Sequence, residues 1–260
     1  MKLLSFSIHC NNINNLETQL EQFVEAILIE KPQVIALQEV KQNCDKMNIN
    51  KACGYISCDN AVMIKEDNFI YKAVEILKSK GIQYYWTWLP TKSVYGAYEE
   101  GIGFMSVSPI LETSTKSVGN TEKKENARKI VGVRIAEYKD EWFFCIHYGL
   151  DNDKKSSFIR KWKDTDSYLQ KYDKAWIMGD LNSPNWVRNK GYDTICYYGW
   201  KDSFILAGKA ENITFKNGIS NQIWFKHKKI INSLKYVFNG DNYPFIAEQP
   251  GVMIDCEIIA

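Results

Sequence analysis

"WIMGDLNSPNW", residues 176–186, places a short apolar run directly before Gly, Asp, Leu, Asn, Ser and Pro. A strand inside a sheet reads as a short apolar run, and proline cannot donate to a β-ladder, so the chain leaves the sheet by Pro184. Asp180 and Asn182 therefore lie at the end of a buried strand. Two interpretations stay open from this stretch alone: turn chemistry, in which Asp and Asn bond their own backbone, or polar groups directed into a cleft.

Two other apolar strands end in residues that suit catalysis. Glu39 follows VIALQ, and His147 follows WFFCI. Each has an ordinary alternative, because a strand-end carboxylate is often solvated and a single histidine is more often a hydrogen-bonded structural residue. Ligands bind at strand ends in layered α/β folds, and a carboxylate, an imidazole and an Asp/Asn pair are the groups that metal-assisted hydrolysis needs. The joint arrangement favours a functional site.

Hydrophobic periodicity predicts alternating helices and strands, followed by a strand-rich region. Helices are predicted over residues 15–32, 67–81 and 154–172. Strands are predicted over 2–9, 33–40, 82–89, 101–107, 129–138, 141–148, 175–180, 212–215, 222–227, 234–238 and 251–258, with a tight turn at Lys139 and Asp140. Since no linker or internal repeat interrupts the pattern, we expect one α/β domain over residues 1–260, built on two stacked sheets.

The composition is that of an ordinary globular protein, with 260 residues, 45% hydrophobic and 25% charged. A net charge of +2 gives no global electrostatic preference for nucleic acid or an anionic membrane. Seven cysteines without a CxxC pair argue against a zinc cage or a disulfide framework, and indicate reduced thiols in a cytoplasmic protein. We expect no signal segment and no membrane span, because no apolar run is long enough for either.

Over nearly its whole length the chain resembles the endonuclease/exonuclease/phosphatase superfamily, which has the deoxyribonuclease I-like fold. The motifs that carry the resemblance are LLSFSIH, KPQVIALQEV, EEGIGFMSVSPI, FFCIHYG, WIMGDLNSP and ITF. A bacterial subgroup that includes sugar-phosphate phosphatases is most similar, through DNFIYKAVEILKSKGIQYYWTWLP and the tail PGVMIDCEI. The resemblance implies a four-layered αββα sandwich, with two mostly antiparallel sheets packed face to face, helices outside, and an active site at one rim.

The resemblance also implies a role for each candidate residue. Glu39 would bind Mg²⁺ or Mn²⁺, and His147 would stabilise the pentavalent phosphorus or protonate the leaving group. Asp180 and Asn182 would orient the attacking water and the phosphate oxygens. Arg128, at the start of the strand RKIVGVRI, matches a position that often offers a basic side chain to phosphate, although a solvated strand end is an equal alternative.

The chain departs from the family pattern in the same pocket. Ser7 stands where the family has Asn, and Asn221 stands near its Asp, without the usual neighbouring Arg. Ala247, Glu248 and Gln249 occupy the slots of Ser, Asp and His before the last strand. Glu248 keeps a carboxylate for a metal, but Gln249 cannot act as a base, because a carboxamide takes no proton near pH 7. Loss of a general base costs about 10²- to 10⁴-fold in rate.

These features predict an ancestral magnesium-dependent phosphoester hydrolase for a small phosphorylated substrate. The degenerate site predicts a divalent cation held weakly, and weak or redirected activity. The alternative is a non-catalytic binding or regulatory protein that uses the inherited cleft. A nuclease is a weaker alternative, because the charge of the chain is balanced.

Two further patterns each allow two interpretations. The segment KHKK, residues 226–229, is either a small basic patch or an ordinary solvated cluster. The segment YYWTW, residues 84–88, offers an aromatic wall for a sugar or base, yet alternating aromatics in a strand more often build a core. We expect two of its five residues in the core.

Overall fold

The computed structural model describes residues 1–8, 16–59, 62–119, 128–148, 155–185, 187–208 and 221–257. The strands are β1 (Lys2–Ser7), β2 (Val34–Asn43), β3 (Tyr85–Val94), β4 (Tyr98–Ser106), β5 (Ile110–Val118), β6 (Arg128–Ile135), β7 (Trp142–His147), β8 (Ala175–Asp180), β9 (Lys201–Asp202), β10 (Asn221–Phe225), β11 (Ile230–Val237) and β12 (Gly251–Glu257). The helices are α1 (Leu16–Glu30), α2 (Phe69–Ser79), α3 (Lys155–Leu169), α4 (Gly191–Tyr197) and α5 (Ser203–Leu206).

The strands form two six-stranded sheets with related arrangements. The first sheet has the order β11-β12-β1-β2-β4-β3, and the second has the order β5-β6-β7-β8-β10-β9. Each sheet has one parallel pair at its centre, β1 with β2 and β7 with β8, and the other pairs of described strands are antiparallel. The predicted pair of mostly antiparallel sheets is confirmed.

Three apolar clusters separate four layers of structure. The middle cluster joins the facing sides of the two sheets and includes Leu3, Val34, Val131, Phe143, Trp176 and Ile254. On the outer side of the first sheet, α1 and α2 pack through a cluster that includes Phe6, Phe23, Val24, Ile35, Ile70 and Val74. On the outer side of the second sheet, α3 and α4 contribute to a cluster that includes Phe144, Trp162, Ile177, Ile195 and Trp224. The fold is therefore the predicted αββα sandwich.

The helix α2 begins and ends where the sequence predicts. The side-chain oxygen of Asn68 accepts hydrogen bonds from the backbone N–H groups of Ile70 and Tyr71, at 3.0 and 3.3 Å. This N-cap satisfies donors that have no partner within the helix. Gly81 follows the helix with a φ of 82°, a left-handed conformation that glycine adopts without steric cost.

The aromatic segment 84–88 belongs mainly to the core. Tyr84, Trp86, Thr87 and Trp88 are buried, and Tyr85 is half-buried. More of the segment is buried than the two residues expected, because β3 packs on α2 with one face and toward the second sheet with the other. A sugar or base therefore has no exposed aromatic wall here apart from Tyr85.

Several boundaries differ from the prediction. The strand predicted over 129–138 ends at Ile135, and a 3-10 turn at Ala136–Tyr138 follows it. This turn brings Tyr138 into the core, where the amide of Gln33 donates to its hydroxyl at 2.6 Å. The predicted strand at 212–215 lies outside the described residues. Among the described residues, no helix combines the length and apolar character needed to cross a membrane.

Candidate active site

The ends of the central strands from both sheets meet at one rim of the sandwich. In the first sheet Ser7, the last residue of β1, pairs with Gln38 of β2. In the second sheet His147 ends β7 and pairs with Asp180 at the end of β8, which in turn pairs with Asn221 at the start of β10. Residues that lie far apart in sequence are thus brought to the same rim by strand register.

Glu39 occupies a β-bulge that directs its side chain toward the other sheet. The register of β2 against β4 shifts between Leu37 and Val40, and Glu39 has a φ of 57°. Its Oε1 accepts a hydrogen bond from the Ser7 hydroxyl at 3.1 Å and lies 3.5 Å from His147 Nε2. Ser7 lacks the amide of the family's asparagine, yet its shorter side chain still contacts the carboxylate. A left-handed non-glycine residue in a bulge is typical of functional sites.

Asp180 and Asn182 show the turn chemistry that the sequence allowed. Asp180 is buried, and its Oδ1 accepts from the backbone N–H of Asn182 at 2.8 Å. Asn182 has a φ of 47°, and its side-chain amide donates to the carbonyl of Tyr148, the residue after His147. A Cβ at Gly179 would collide with the carbonyl oxygen of Ile146, so glycine allows β8 to lie against β7 at this point. The turn thereby holds Asp180 and Asn182 beside His147.

The structure adds two residues that the sequence did not single out. Gln38 is fully buried between the sheets, and its amide donates to Cys145 Sγ at 3.2 Å. Burial raises the pKa of the Cys145 thiol to about 12, so the thiol stays protonated. These residues lie one position before Glu39 and two before His147. The sequence signal that could have identified Gln38 is a glutamine inside an otherwise apolar strand.

The segment before β12 is tied to the rim by Asn221. Asn221 donates from Nδ2 to the carbonyl of Pro250 at 2.9 Å, which ties the segment before β12 to the start of β10. Gln249 is half-buried, and Glu248 is exposed on this segment. The rim therefore brings together Glu39, His147, Asp180 and Asn221, with the two tail residues on the adjoining loop.

Arg128 lies at the same end of the second sheet as His147. It begins β6, two residues before Ile130, which pairs with Ile146 of β7. The side chain is half-buried, and the next residue, Lys129, donates from Nζ to the carbonyl of Pro90 on β3 at 2.7 Å. Arg128 and His147 therefore lie at the same end of neighbouring strands.

The segment KHKK is neither an exposed basic patch nor a simple solvated cluster. Lys226 pairs with the buried Asp166 at 2.6 Å, and Lys229 pairs with the buried Glu141 at 2.5 Å. His227 Nε2 lies 3.6 Å from Glu141 Oε2, and only Lys228 of the four residues is classed as exposed. These cations neutralise buried carboxylates, so they add little to a surface that would attract a polyanion.

The rim offers oxygen donors of the type that binds divalent cations. No group of three or more His, Cys, Asp or Glu side chains in the described part of the chain is arranged to hold a metal ion. Mg²⁺, however, is commonly bound through one or two carboxylates, with water and substrate phosphate completing its shell. Glu39, with the Ser7 hydroxyl on its carboxylate, and Asp180 supply such oxygen donors. They fit an ion that substrate helps to hold, rather than a protein cage.

Similarity to solved structures identifies the fold of this chain. An endonuclease/exonuclease/phosphatase family protein from Leptotrichia buccalis C-1013-b superimposes with a TM-score of 0.83 at 20% identity, covering 99% of this chain and 100% of that chain. The chain has the deoxyribonuclease I-like fold of these proteins. No protein-family model matches the sequence, and no curated protein is significantly similar to it.

Other structures of the endonuclease/exonuclease/phosphatase fold differ in what they act on or bind. A mannosyl-6-phosphatase from Bacteroides thetaiotaomicron VPI-5482 has a TM-score of 0.64 at 10% identity, covering 99% of this chain and 100% of that chain. D. rerio TDP2, complexed with a single-strand DNA product, has a TM-score of 0.64 at 11% identity, covering 99% of both chains. The fold therefore accommodates sugar phosphates as well as DNA.

Proposed function

We propose that this chain is a metal-dependent phosphoester hydrolase of the endonuclease/exonuclease/phosphatase type with a degenerate active site. Its activity toward a small phosphorylated substrate is weak or redirected. The observation that carries the proposal is the approach of His147 Nε2 to Glu39 Oε1, 3.5 Å across the two sheets, at the rim where β8 ends in Asp180. A carboxylate and an imidazole from different sheets then face the same space.

The roles follow from the chemistry of each group. Glu39, Asp180 and, from the tail, Glu248 provide carboxylate oxygens for Mg²⁺ or Mn²⁺, and a bound cation neutralises charge on the phosphate oxygens. His147 would stabilise the pentavalent phosphorus by donating a hydrogen bond to one of its oxygens, or would protonate the leaving oxygen. Asp180 and Asn182 orient water and phosphate oxygens. Arg128 and Gln249 contact the bound phosphate compound.

The deficit of the site is its general base. Gln249 supplies hydrogen-bond donors and an acceptor, but it cannot take the proton of water near neutral pH. A site that binds a phosphate compound without this base hydrolyses it slowly or not at all. Gln249 therefore also favours the second candidate function, a non-catalytic binding or regulatory protein that uses the same cleft.

The proposed substrate is a small phosphate compound rather than a nucleic acid. The pairing of Lys226 and Lys229 with buried acids, together with the balanced charge of the chain, supports this choice. The free thiols of the six described cysteines agree with the cytoplasmic location that we propose.

The test is hydrolysis of nitrophenyl phosphate and bis-nitrophenyl phosphate by the wild type with Mn²⁺. We expect slow turnover that Glu39→Gln and His147→Ala each lower by about 10-fold or more, within the range for acid or metal-ligand loss. Glu137→Gln, an exposed glutamate on the 3-10 turn, is the matched control and leaves turnover unchanged. Vigorous hydrolysis that survives His147→Ala would contradict the proposal.

A further inference from the structure

Asn221 joins the two sheets at the rim through a single side-chain hydrogen bond. The residue is 1% exposed and begins β10 in the second sheet. Its Nδ2 donates at 2.9 Å to the carbonyl of Pro250, which immediately precedes β12 in the first sheet. Pro250 is itself buried. A side chain of one sheet therefore holds the backbone of the other.

A hydrogen-bond donor suits this position best. A carbonyl oxygen accepts hydrogen bonds, so an ionised aspartate at 221 would place one acceptor against another in a buried setting. The neighbouring strand presents a second carboxylate, because Asn221 pairs directly with Asp180. The free Oδ1 of Asn221 is already buried without a hydrogen-bond partner among the described residues. An ionised acid at 221, which the resemblance expects here, would thus destabilise the tail path of this chain.

The contact helps to fix the position of the tail segment. Residues 247–249 precede Pro250, and they occupy the three slots in which the chain departs from the family pattern. Gly251, the first residue after Pro250, begins β12 and is held there by its pairing with Val237 of β11. At the upstream end of this segment Gln19 donates from Nε2 to the carbonyl of Ile246 at 2.6 Å, and the Asn221 contact holds the downstream end.

We infer that Asn221 is a positioning residue, which fixes the segment carrying Glu248 and Gln249 by donating to Pro250. The departures from the family pattern at residues 221, 248 and 249 then form one coupled change rather than separate losses of function. The inference rests on the proposed function only in treating Glu248 and Gln249 as site residues; the tie itself is independent of any activity.

The first test compares Asn221→Asp and Asn221→Ala by thermal unfolding at pH 8 and pH 5. At pH 8 we expect Asn221→Asp to lower Tm by roughly 5 °C or more, because a buried charge faces an acceptor. At pH 5 that deficit should shrink by at least half, because a protonated carboxyl again donates to Pro250. Asn221→Ala should show the same deficit at both pH values, and the exposed Asn232→Asp should show none.

The inference is overturned if Asn221→Asp matches the wild type at pH 8, or if its deficit is the same at pH 5 and pH 8. If Asn221→Asp does not fold at pH 8 but folds at pH 5, the result supports the inference. Should it fold at neither pH, Asn221→Ala decides: wild-type Tm in that variant overturns the inference.

The second test separates positioning from general stability by hydrogen exchange. In Asn221→Ala, the amides of residues 247–249 and 251 should exchange about 10-fold faster than in the wild type, while amides of β1 and β2 stay unchanged. An equal increase across all strands would show a merely structural role and overturn the inference. Turnover of a Glu248→Asp, Gln249→His variant should fall in kcat when Asn221→Ala is added. Complete inactivity of that parent variant would count against the proposed function, whereas the exchange result decides the inference.

Discussion

The carboxylate of Glu39 and the ring of His147 lie 3.5 Å apart, although they belong to different sheets. Their separation is set by the packing between the sheets rather than by either strand alone. Directly beneath them, Gln38 donates to Cys145 Sγ across the same interface. A substitution in that interface would therefore alter the separation of Glu39 and His147, even though the substituted residue makes no contact with a ligand.

The left-handed backbone at Glu39 predicts an unusual order of stability. At an ordinary strand position glycine is roughly 0.5–1 kcal/mol less stable than alanine. At Glu39, where φ is 57°, alanine retains the steric cost of this conformation and glycine does not. We expect Glu39→Gly to be about 1 kcal/mol more stable than Glu39→Ala in urea unfolding.

The comparison pair for that measurement is Thr115→Gly and Thr115→Ala, on an exposed position of β5. There the usual order should hold, with glycine the less stable variant. If glycine is the less stable variant at both positions, the bulge at Glu39 is not strained.

Glu141 should stabilise the fold at neutral pH and lose this effect only in strong acid. Burial alone would raise the pKa of its carboxyl, but the His227 ring, 3.6 Å away, and hydrogen bonds from Lys229 and Trp176 outweigh burial and bring the pKa to about 2, from an ordinary value of 4.5. Because the folded pKa is the lower one, the stabilisation is present above about pH 4.5 and lost as pH falls through 2. Glu141→Gln should cost about 3 kcal/mol at pH 7.

Urea unfolding from pH 7 to pH 2 checks this dependence. The difference between Glu141→Gln and the wild type should shrink toward pH 2, whereas the exposed Asp140→Asn should differ little at any pH. A constant difference across the range would mean that the ion pair with Lys229 does not stabilise the fold.

The carboxyl of Asp202 should affect stability with the opposite pH dependence to that of Glu141. Burial raises the pKa of its carboxyl to about 6, although the backbone N–H of Phe204 and the hydroxyl of Tyr192 donate to it. Because the folded pKa is the higher one, the contribution to stability is complete below about pH 3.8 and lost as pH rises through 6.

The isosteric Asp202→Asn variant tests this sign, because asparagine also caps helices. Relative to the wild type, its free energy of unfolding should rise by about 3 kcal/mol between pH 4 and pH 7. A relative stability that does not change with pH would rule out the raised pKa.

The sequence predicts the fold wherever a buried face repeats with a clear period. Leu20, Phe23, Val24 and Ile27 line one side of α1 as predicted, with bounds within two residues. The strand β5 was not predicted, because its middle residues are polar and exposed or half-buried and carry no alternation. The helices α4 and α5 were also missed, since elements of seven and four residues give too little periodicity.

The candidate site was predictable as strand ends but not as contacts. Apolar runs that stop at Glu39, His147 and Asp180 indicate the rim directly. The bulge at Glu39 depends on the register of β2 against β4, and the pairing of Lys229 with Glu141 depends on packing between distant segments. Neither leaves a local signal in the sequence.

Binding of Mn²⁺ should be weaker than micromolar. The rim offers carboxylates from Glu39 and Asp180. Ser7 and Asn221 supply only neutral groups, at positions where the resemblance implies an asparagine and an aspartate. Titration calorimetry of the wild type should show weak heat that Glu39→Gln abolishes. A site with micromolar affinity or better, or one that persists in Glu39→Gln, would contradict the assignment.

The missing base at Gln249 gives the central claim its most direct test. If the remaining groups are in place, Glu248→Asp with Gln249→His restores a positioned base beside Asp180 and His147. The measurement is nitrophenol release from mono- and diester substrates with Mn²⁺, for the wild type, the double variant and the double variant carrying Glu39→Gln.

The account predicts that turnover in the double variant rises by about 10²-fold or more over the wild type, within the range for a positioned general base, and that adding Glu39→Gln removes the gain. No gain in the double variant would contradict the account and favour a binding protein, because more than the base would then be missing from this cleft.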